Sequence, residues 1–170
     1  MVSKQKRFDS LVNALYADLY RYAYWLTRNR PVAEDLVQET YLRAWRSFES
    51  LQDEKAAKAW LITILRRENA RRFERYQPDM VDVSDVVVAD KSAGPGQTME
   101  SQMLHQAIAA LEVEFREPIM LQLIGGFSAE EIASILGANK NTVLTRLFRA
   151  RNKLKAALTD DITQRGNSNG

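Results

Sequence analysis

Six basic side chains, Lys140, Arg146, Arg149, Arg151, Lys153 and Lys155, fall between residues 140 and 155 with no acidic one among them, a local charge of +6. Asn141, Thr142 and Thr145 interleave with the first of them. Polar and basic groups at the N-terminal end of a helix can reach base edges when that end enters the major groove of DNA, and Arg149, one turn later, is placed for a phosphate. A second basic cluster, Arg66, Arg67, Arg71, Arg72 and Arg75 against Glu68 and Glu74, lies near Trp60 and Phe73. Such a helix can neutralise phosphates and pack against exposed bases, although the apolar neighbours Leu61 and Ile64 assign Trp60 to the core. Asp35 and Glu39 stand at i and i+4, on one helical face, but no base, metal partner or nucleophile accompanies them. That pairing reads as a solvated face or a protein-docking surface.

Composition narrows the chemistry further. The 170 residues contain no Cys, which excludes a disulfide scaffold, a thiolate metal site and a Cys nucleophile. The single His105, flanked by apolar Leu104 and Ala107, cannot build a multi-His metal site and reads as structural. No catalytic residue, metal site or cofactor is therefore expected. The N-terminus is polar and basic, and no stretch approaches the ~18 apolar residues of a membrane span, so a cytoplasmic protein is expected. Net charge is only +2, from 24 Lys+Arg and 22 Asp+Glu. The acids, however, are segregated: Asp79, Asp82, Asp85 and Asp90 crowd one short segment, away from the basic helix.

The elements that must carry these groups are helical. Phe8, Val12, Leu15, Leu19, Tyr22 and Leu26 recur at alternating spacings of four and three, the period of one long helix. Asn29 and Pro31 end it and open a second, from residue 31 to about 48, with Leu36, Val37, Tyr41, Ala44, Trp45 and Phe48 as its apolar positions. A polar segment, residues 49–58, precedes a third helix from residue 59 to about 75, with Trp60, Leu61, Ile64 and Leu65 as its apolar face. Residues 77–96 have linker composition; the 81–88 stretch has strand propensity but no partner strand. Helical periodicity resumes at Met103, Leu104, Ala107, Ile108 and Leu111. Pro118 is expected to open a helix over residues 119–124 that Gly125 and Gly126 stop. Ser128 and Glu131 then form a capping box, with Phe127 and Ile132 as a hydrophobic staple, and the short helix ends at Gly137. A last helix buries Val143, Leu147, Ala150, Leu154 and Leu158. Two helices joined by a tight Gly turn, with small Ala133 at their crossing, are a helix-turn-helix pattern. The tail, residues 159–170, is expected to be disordered.

Residues 33–40 (AEDLVQET), then Ala59-Trp60-Leu61 with Ile64, the acidic linker, Glu131-Ile132-Ala133 with Leu136-Gly137, and Thr142-Val143 with Arg146-Leu147 and Arg149-Ala150-Arg151 resemble, in this order, bacterial sigma factors of the extracytoplasmic-function class. The resemblance covers residues 8–158. It implies that Asp35, Gln38 and Glu39 dock on core RNA polymerase. It further implies that the 49–58 segment captures a flipped base of the −10 element, and that Lys58, Arg66, Arg67, Arg71 and Arg72 hold the melted strand. Lys140, Asn141, Thr142, Thr145, Arg146 and Arg149 would read the −35 element as duplex. Partners implied are core RNA polymerase, promoter DNA and an anti-sigma factor, which in the family is often membrane-anchored; the protein itself would be no enzyme. The chain departs from the family pattern at Arg67-Glu68-Asn69, where Asn and an apolar pair are usual. It departs again at Asn141, where Gly is usual and where Asn can pair bidentately with adenine.

The expected architecture is all-α: an N-terminal helical domain over residues 1–76, a flexible acidic linker over 77–98, a helix-turn-helix domain over 99–160 and a disordered tail over 161–170. The competing readings are a stand-alone helix-turn-helix regulator whose N-terminal half senses a signal or dimerises, and a helical interaction module with no role on DNA.

Overall fold

Local signals at the chain's corners define its helices. In the computed structural model, which describes residues 2–76 and 98–167, Ser3 caps the first helix by accepting the N–H of Lys6 at 3.2 Å. Helix α1 (Lys4–Thr27) ends where Arg28 turns left-handed, φ 54°, with its N–H on the carbonyl of Tyr24. Asn29 then accepts the N–H of Val32 at 3.1 Å and starts α2 (Arg30–Arg46), with Pro31 in the first turn, where a missing N–H costs nothing. Two single 3₁₀ turns, Phe48–Ser50 and Glu54–Ala56, occupy the polar segment and lead into α3 (Ala57–Tyr76). Among the described residues all regular structure is helical, and no strand is present. The linker, with its strand-prone 81–88 stretch, lies outside the described residues.

The chain divides into two compact units, residues 1–91 and 92–170. In the first, α1 packs on α2 and both on α3. Phe8, Leu19, Tyr22, Ala33, Leu36, Val37, Tyr41, Leu61, Ile62 and Leu65 form its core. The buried Thr40 hydroxyl donates to the carbonyl of Leu36 at 2.7 Å, and the Tyr41 hydroxyl donates to that of Val12 at 3.3 Å. On α3 the buried stripe is Ala57, Leu61, Leu65 and Glu68, with Ile62 beside it. The expected face is thus shifted: Trp60 and Ile64 are only half-buried, and the stripe's last turn is an acid. Trp45, expected in the core of α2, is 38% exposed.

In the second unit, Thr98 caps α4 (Met99–Ala109), followed by α5 (Val113–Leu123), α6 (Ala129–Leu136) and α7 (Lys140–Asn167). Pro118 does not open a helix as expected; it sits inside α5, which starts at Val113. A proline there removes one backbone hydrogen bond and costs about 3 kcal/mol, which burial of Phe115, Pro118, Ile119, Met120 and Leu121 against α7 offsets. Helix α7 also overruns its expected end. Ala156, Ala157 and Leu158 are strong helix formers, and Arg165 reaches the sulfur of Met99 at 3.0 Å, tying the last turn to α4. Residues 161–167 are therefore helical rather than a disordered tail. His105 is buried in α4, as its apolar neighbours imply.

Candidate nucleic-acid and protein interfaces

The helix-turn-helix is built by its caps. Ser128 accepts the N–H of Glu131 at 3.2 Å while its own N–H donates to the Glu131 carboxylate at 3.1 Å, closing the capping box. Gly137, φ 64°, ends α6 with its N–H on the carbonyls of Ala133 and Ser134. Asn139 then caps the next helix: its side chain accepts the N–H of Asn141 at 2.8 Å and its carbonyl that of Val143 at 3.0 Å. With Val143, Leu147, Ala150 and Leu154 buried, the opposite side of α7 is left to solvent. Gly125 closes the preceding turn, where a Cβ would lie 2.7 Å from both the Leu121 carbonyl and the Phe127 ring.

Five predicted side chains on α7, Asn141, Thr142, Thr145, Arg146 and Arg149, line one open groove of about 420 Å³ with Glu114 and Phe115 of α5. Arg146 and Arg149 form no ion pair among the described residues, so both guanidinium groups can meet an anion. Lys140 is held apart: its ammonium donates to Glu130 on α6 at 2.9 Å. That hydrogen bond and charge hold the Glu130 carboxyl below the usual glutamate range. Two more cations of α7 are committed within the fold, Arg151 to the side chain of Gln122 and Lys153 over the ring of Phe115, 5.2 Å from its centroid. Leu144 and Phe148, one turn apart on α7, are 46% and 65% exposed. The sequence pattern singles out neither of them, nor Glu114, the one acid in the groove.

In the first unit, Asp35 and Gln38 are exposed on α2, while Glu39 is partly covered and hydrogen-bonded to Arg43 at 3.4 Å. Leu42 and Trp45, 59% and 38% exposed, continue the face of Gln38 at i+4 and i+7. That spacing was the available signal, masked by the hydrophobic character of both residues. The five cations assigned to the melted strand do not share one face of α3. At 100° per residue, Arg67 and Arg71 stand together on the outer side. Arg66 stands on the other side of the exposed arc, about 140° from Arg71, and Lys58 and Arg72 lie on the packed side, half-buried. Lys58 is 3.7 Å from the Asp18 carboxylate, and Arg72 lies over the Phe73 ring at 5.4 Å. The segment between α2 and α3 is braced by α1: Lys4 pairs with Glu49 at 3.4 Å and Arg7 with Glu54 at 3.2 Å.

One unit thus presents an exposed helix face of apolar and acidic side chains, and the other an open groove lined by polar and basic ones. Residues 11–86 match the family model of Sigma-70 region 2, and residues 101–154 match that of Sigma-70 region 4. The chain is 35% identical over 158 residues to the ECF RNA polymerase sigma factor EcfG of Rhodopseudomonas palustris, covering 90% of this chain and 87% of that one. The chain belongs to the extracytoplasmic-function sigma factors. A second relative of the sigma factor, SigV of Bacillus subtilis, is 33% identical over 144 residues, 85% of this chain and 86% of that protein. Among solved structures, the sigma factor is similar to RpoE of Bartonella quintana in complex with the anti-sigma factor NepR. The TM-score is 0.73 at 29% identity, with 91% of this chain and 98% of that one covered. It is also similar to CnrH in complex with the cytosolic domain of CnrY, TM-score 0.70 at 26% identity, covering 94% and 92%. This is an alternative sigma factor that directs transcription initiation, and a stand-alone regulator is not favoured. No described helix of the sigma factor is long and apolar enough to cross a membrane.

Proposed function

We propose that the two units divide promoter recognition as follows. Asp35, Gln38 and Glu39, extended by Leu42 and Trp45, dock on core RNA polymerase. Arg67 and Arg71, supported by Lys58, Arg66 and Arg72, neutralise phosphates of the melted −10 strand, and the α7 groove reads the −35 duplex. The observation that carries this reading is the groove itself: its wall is polar at Asn141, Thr142 and Thr145 and cationic at Arg146 and Arg149. A major-groove reader needs that combination, hydrogen-bonding groups for base edges beside charges for the backbone. Lys140, tied to Glu130, acts as a backbone contact rather than a base reader.

The chemistry of RNA synthesis belongs to the polymerase, so the chain is an initiation factor rather than an enzyme, acting in the cytoplasm. An anti-sigma factor is proposed as a third partner, supported by the solved relative RpoE, whose structure is a complex with the anti-sigma factor NepR. The residue assignment is tested by measuring core-polymerase affinity and duplex −35 affinity separately for Gln38→Ala and Arg146→Ala. Each substitution is expected to weaken one interaction and spare the other. Loss of both by either variant, or of neither by both, contradicts the division.

A further inference from the structure

Four charged side chains link the exposed face of α2 to the outer face of α3. Glu39 accepts the Nε–H of Arg43 at 3.4 Å, and the same Nε lies 3.2 Å from Oε1 of Glu68. That oxygen in turn accepts a hydrogen bond from Nη1 of Arg71 at 3.1 Å. The outer members are wet, with side-chain exposures of 43% for Glu39 and 48% for Arg71, whereas Glu68 is 5% exposed. A carboxylate withdrawn from water must be compensated by its neighbours, and Glu68 is compensated by two guanidinium groups at once. Arg43 is divided: its Nε carries a single proton, which goes to Glu39 although Glu68 is the nearer acid.

Resting on the assignment of Glu39 to polymerase docking and Arg71 to the melted strand, we propose that Arg43 and Glu68 are positioning residues that couple the two surfaces. A polymerase group that engages Glu39 frees the Nε–H of Arg43 for Glu68. Glu68, then fully compensated by Arg43, loosens its hold on Arg71, and the Arg71 guanidinium becomes available to a phosphate. By linkage the effect is reciprocal: DNA bound to Arg71 draws Arg43 to Glu68 and bares Glu39 for the polymerase. The sigma factor thus presents its −10 cation more fully once it is on the enzyme.

Glu39→Gln removes the competing charge while keeping the shape, and mimics occupation of Glu39. In the full chain at low salt, it is expected to raise affinity for a labelled single-stranded oligothymidylate by about two- to fivefold, the scale of one exposed charge contact. The gain is expected to vanish when Arg71→Ala or Glu68→Gln is also present; a gain that persists in either background is a general charge effect and overturns the relay. Side-chain NMR supplies a second reading that needs no ligand. The Arg71 N–H resonances are expected to move on Glu39→Gln and to stay fixed when Glu68→Gln is already in place. Unmoved Arg71 resonances in the first comparison overturn the proposal. Glu68→Leu separates positioning from packing: thermal stability is expected to be retained while the coupling is lost, and retained coupling would overturn it. Core-polymerase affinity of Glu39→Gln is measured in parallel. If it is unchanged, the docking assignment fails, and the Arg71 cycle still reports on the ion-pair relay by itself.

Discussion

Glycines at three places in the C-terminal unit are expected to respond to alanine in different ways, which makes them a sharp probe of how the recognition helix is seated. At Gly125 the added Cβ would sit 2.7 Å from the Leu121 carbonyl oxygen and from two carbons of the Phe127 ring. The same carbonyl accepts the N–H of Phe127 at 3.1 Å, so the turn is closed on itself. Reaching ordinary contact near 3.4 Å requires an opening of about 0.7 Å on both sides of the new methyl, against backbone on one side and a buried ring on the other. Overpacking of this kind costs about 1–3 kcal/mol. In a unit of this size each kcal/mol moves the melting temperature by about 4–8 °C, so a fall of about 5–20 °C is expected for Gly125→Ala. Gly137 meets no atom within 4 Å but has φ +64°; there alanine is expected to cost about 1 kcal/mol through backbone strain alone. Gly166, in the last turn of α7 with open space around it, is expected to gain up to about 1 kcal/mol from improved helix propensity. Calorimetric unfolding of the full chain reads all three. The order Gly166→Ala above wild type, then Gly137→Ala, then Gly125→Ala is expected. A Gly125→Ala protein that melts at or above wild type would refute the packing described for residues 121–127.

Arg146→Ala and Arg149→Ala should each weaken duplex DNA binding and lower the slope of log K against log salt by about 0.9 for each phosphate no longer neutralised. Arg151→Ala, whose side chain is engaged by Gln122, should leave that slope unchanged, and equal effects at all three would contradict the groove assignment. The Glu130 carboxyl is held low by Lys140, so their interaction contributes to stability above the usual glutamate pKa and fades as pH falls through the lowered folded value. A carboxyl-carbon NMR titration should place Glu130 below the exposed glutamates, with Lys140→Met returning it to them; a midpoint indifferent to Lys140 would break the pairing. Tyr41→Phe removes the hydrogen bond to the Val12 carbonyl and should cost about 0.5–1.5 kcal/mol in chemical denaturation, whereas an unchanged midpoint would make that bond energetically silent.

Features written in local chemistry were legible in the sequence; features decided by packing were less so. Ser128, Glu131 and Gly137 announce α6 because each acts on backbone groups within a few residues, and the structure forms every one of those contacts. The α7 side chains of the groove follow directly from a buried stripe at Val143, Leu147, Ala150 and Leu154, which fixes what faces outward. Pro118 misled because its local rule, to open a helix, yields where burial on α7 outweighs one missing hydrogen bond. On α3, helical period alone could not rank Trp60 and Ile64 against Ala57 and Ile62, since the choice depends on where α1 and α2 lie. Composition groups the cations of α3, whereas the helix distributes them around its axis. Burial of Glu68 has no signal in its local sequence. A charged residue in a polar stretch reads as surface, and only the approach of Arg43 from α2 and Arg71 from its own helix makes its burial tolerable.

Transcription reconstituted from purified components tests the central claim most directly. Core RNA polymerase, the full chain and genomic DNA from the organism that encodes it are combined, and the 5′ ends of the transcripts are mapped. Discrete start sites that require the chain are expected, preceded by common sequence elements at −10 and −35. Those starts should disappear with Arg146→Ala and Arg149→Ala combined, while core-polymerase affinity is kept. Transcripts indifferent to the chain, or start sites that survive the removal of both arginines, would contradict it.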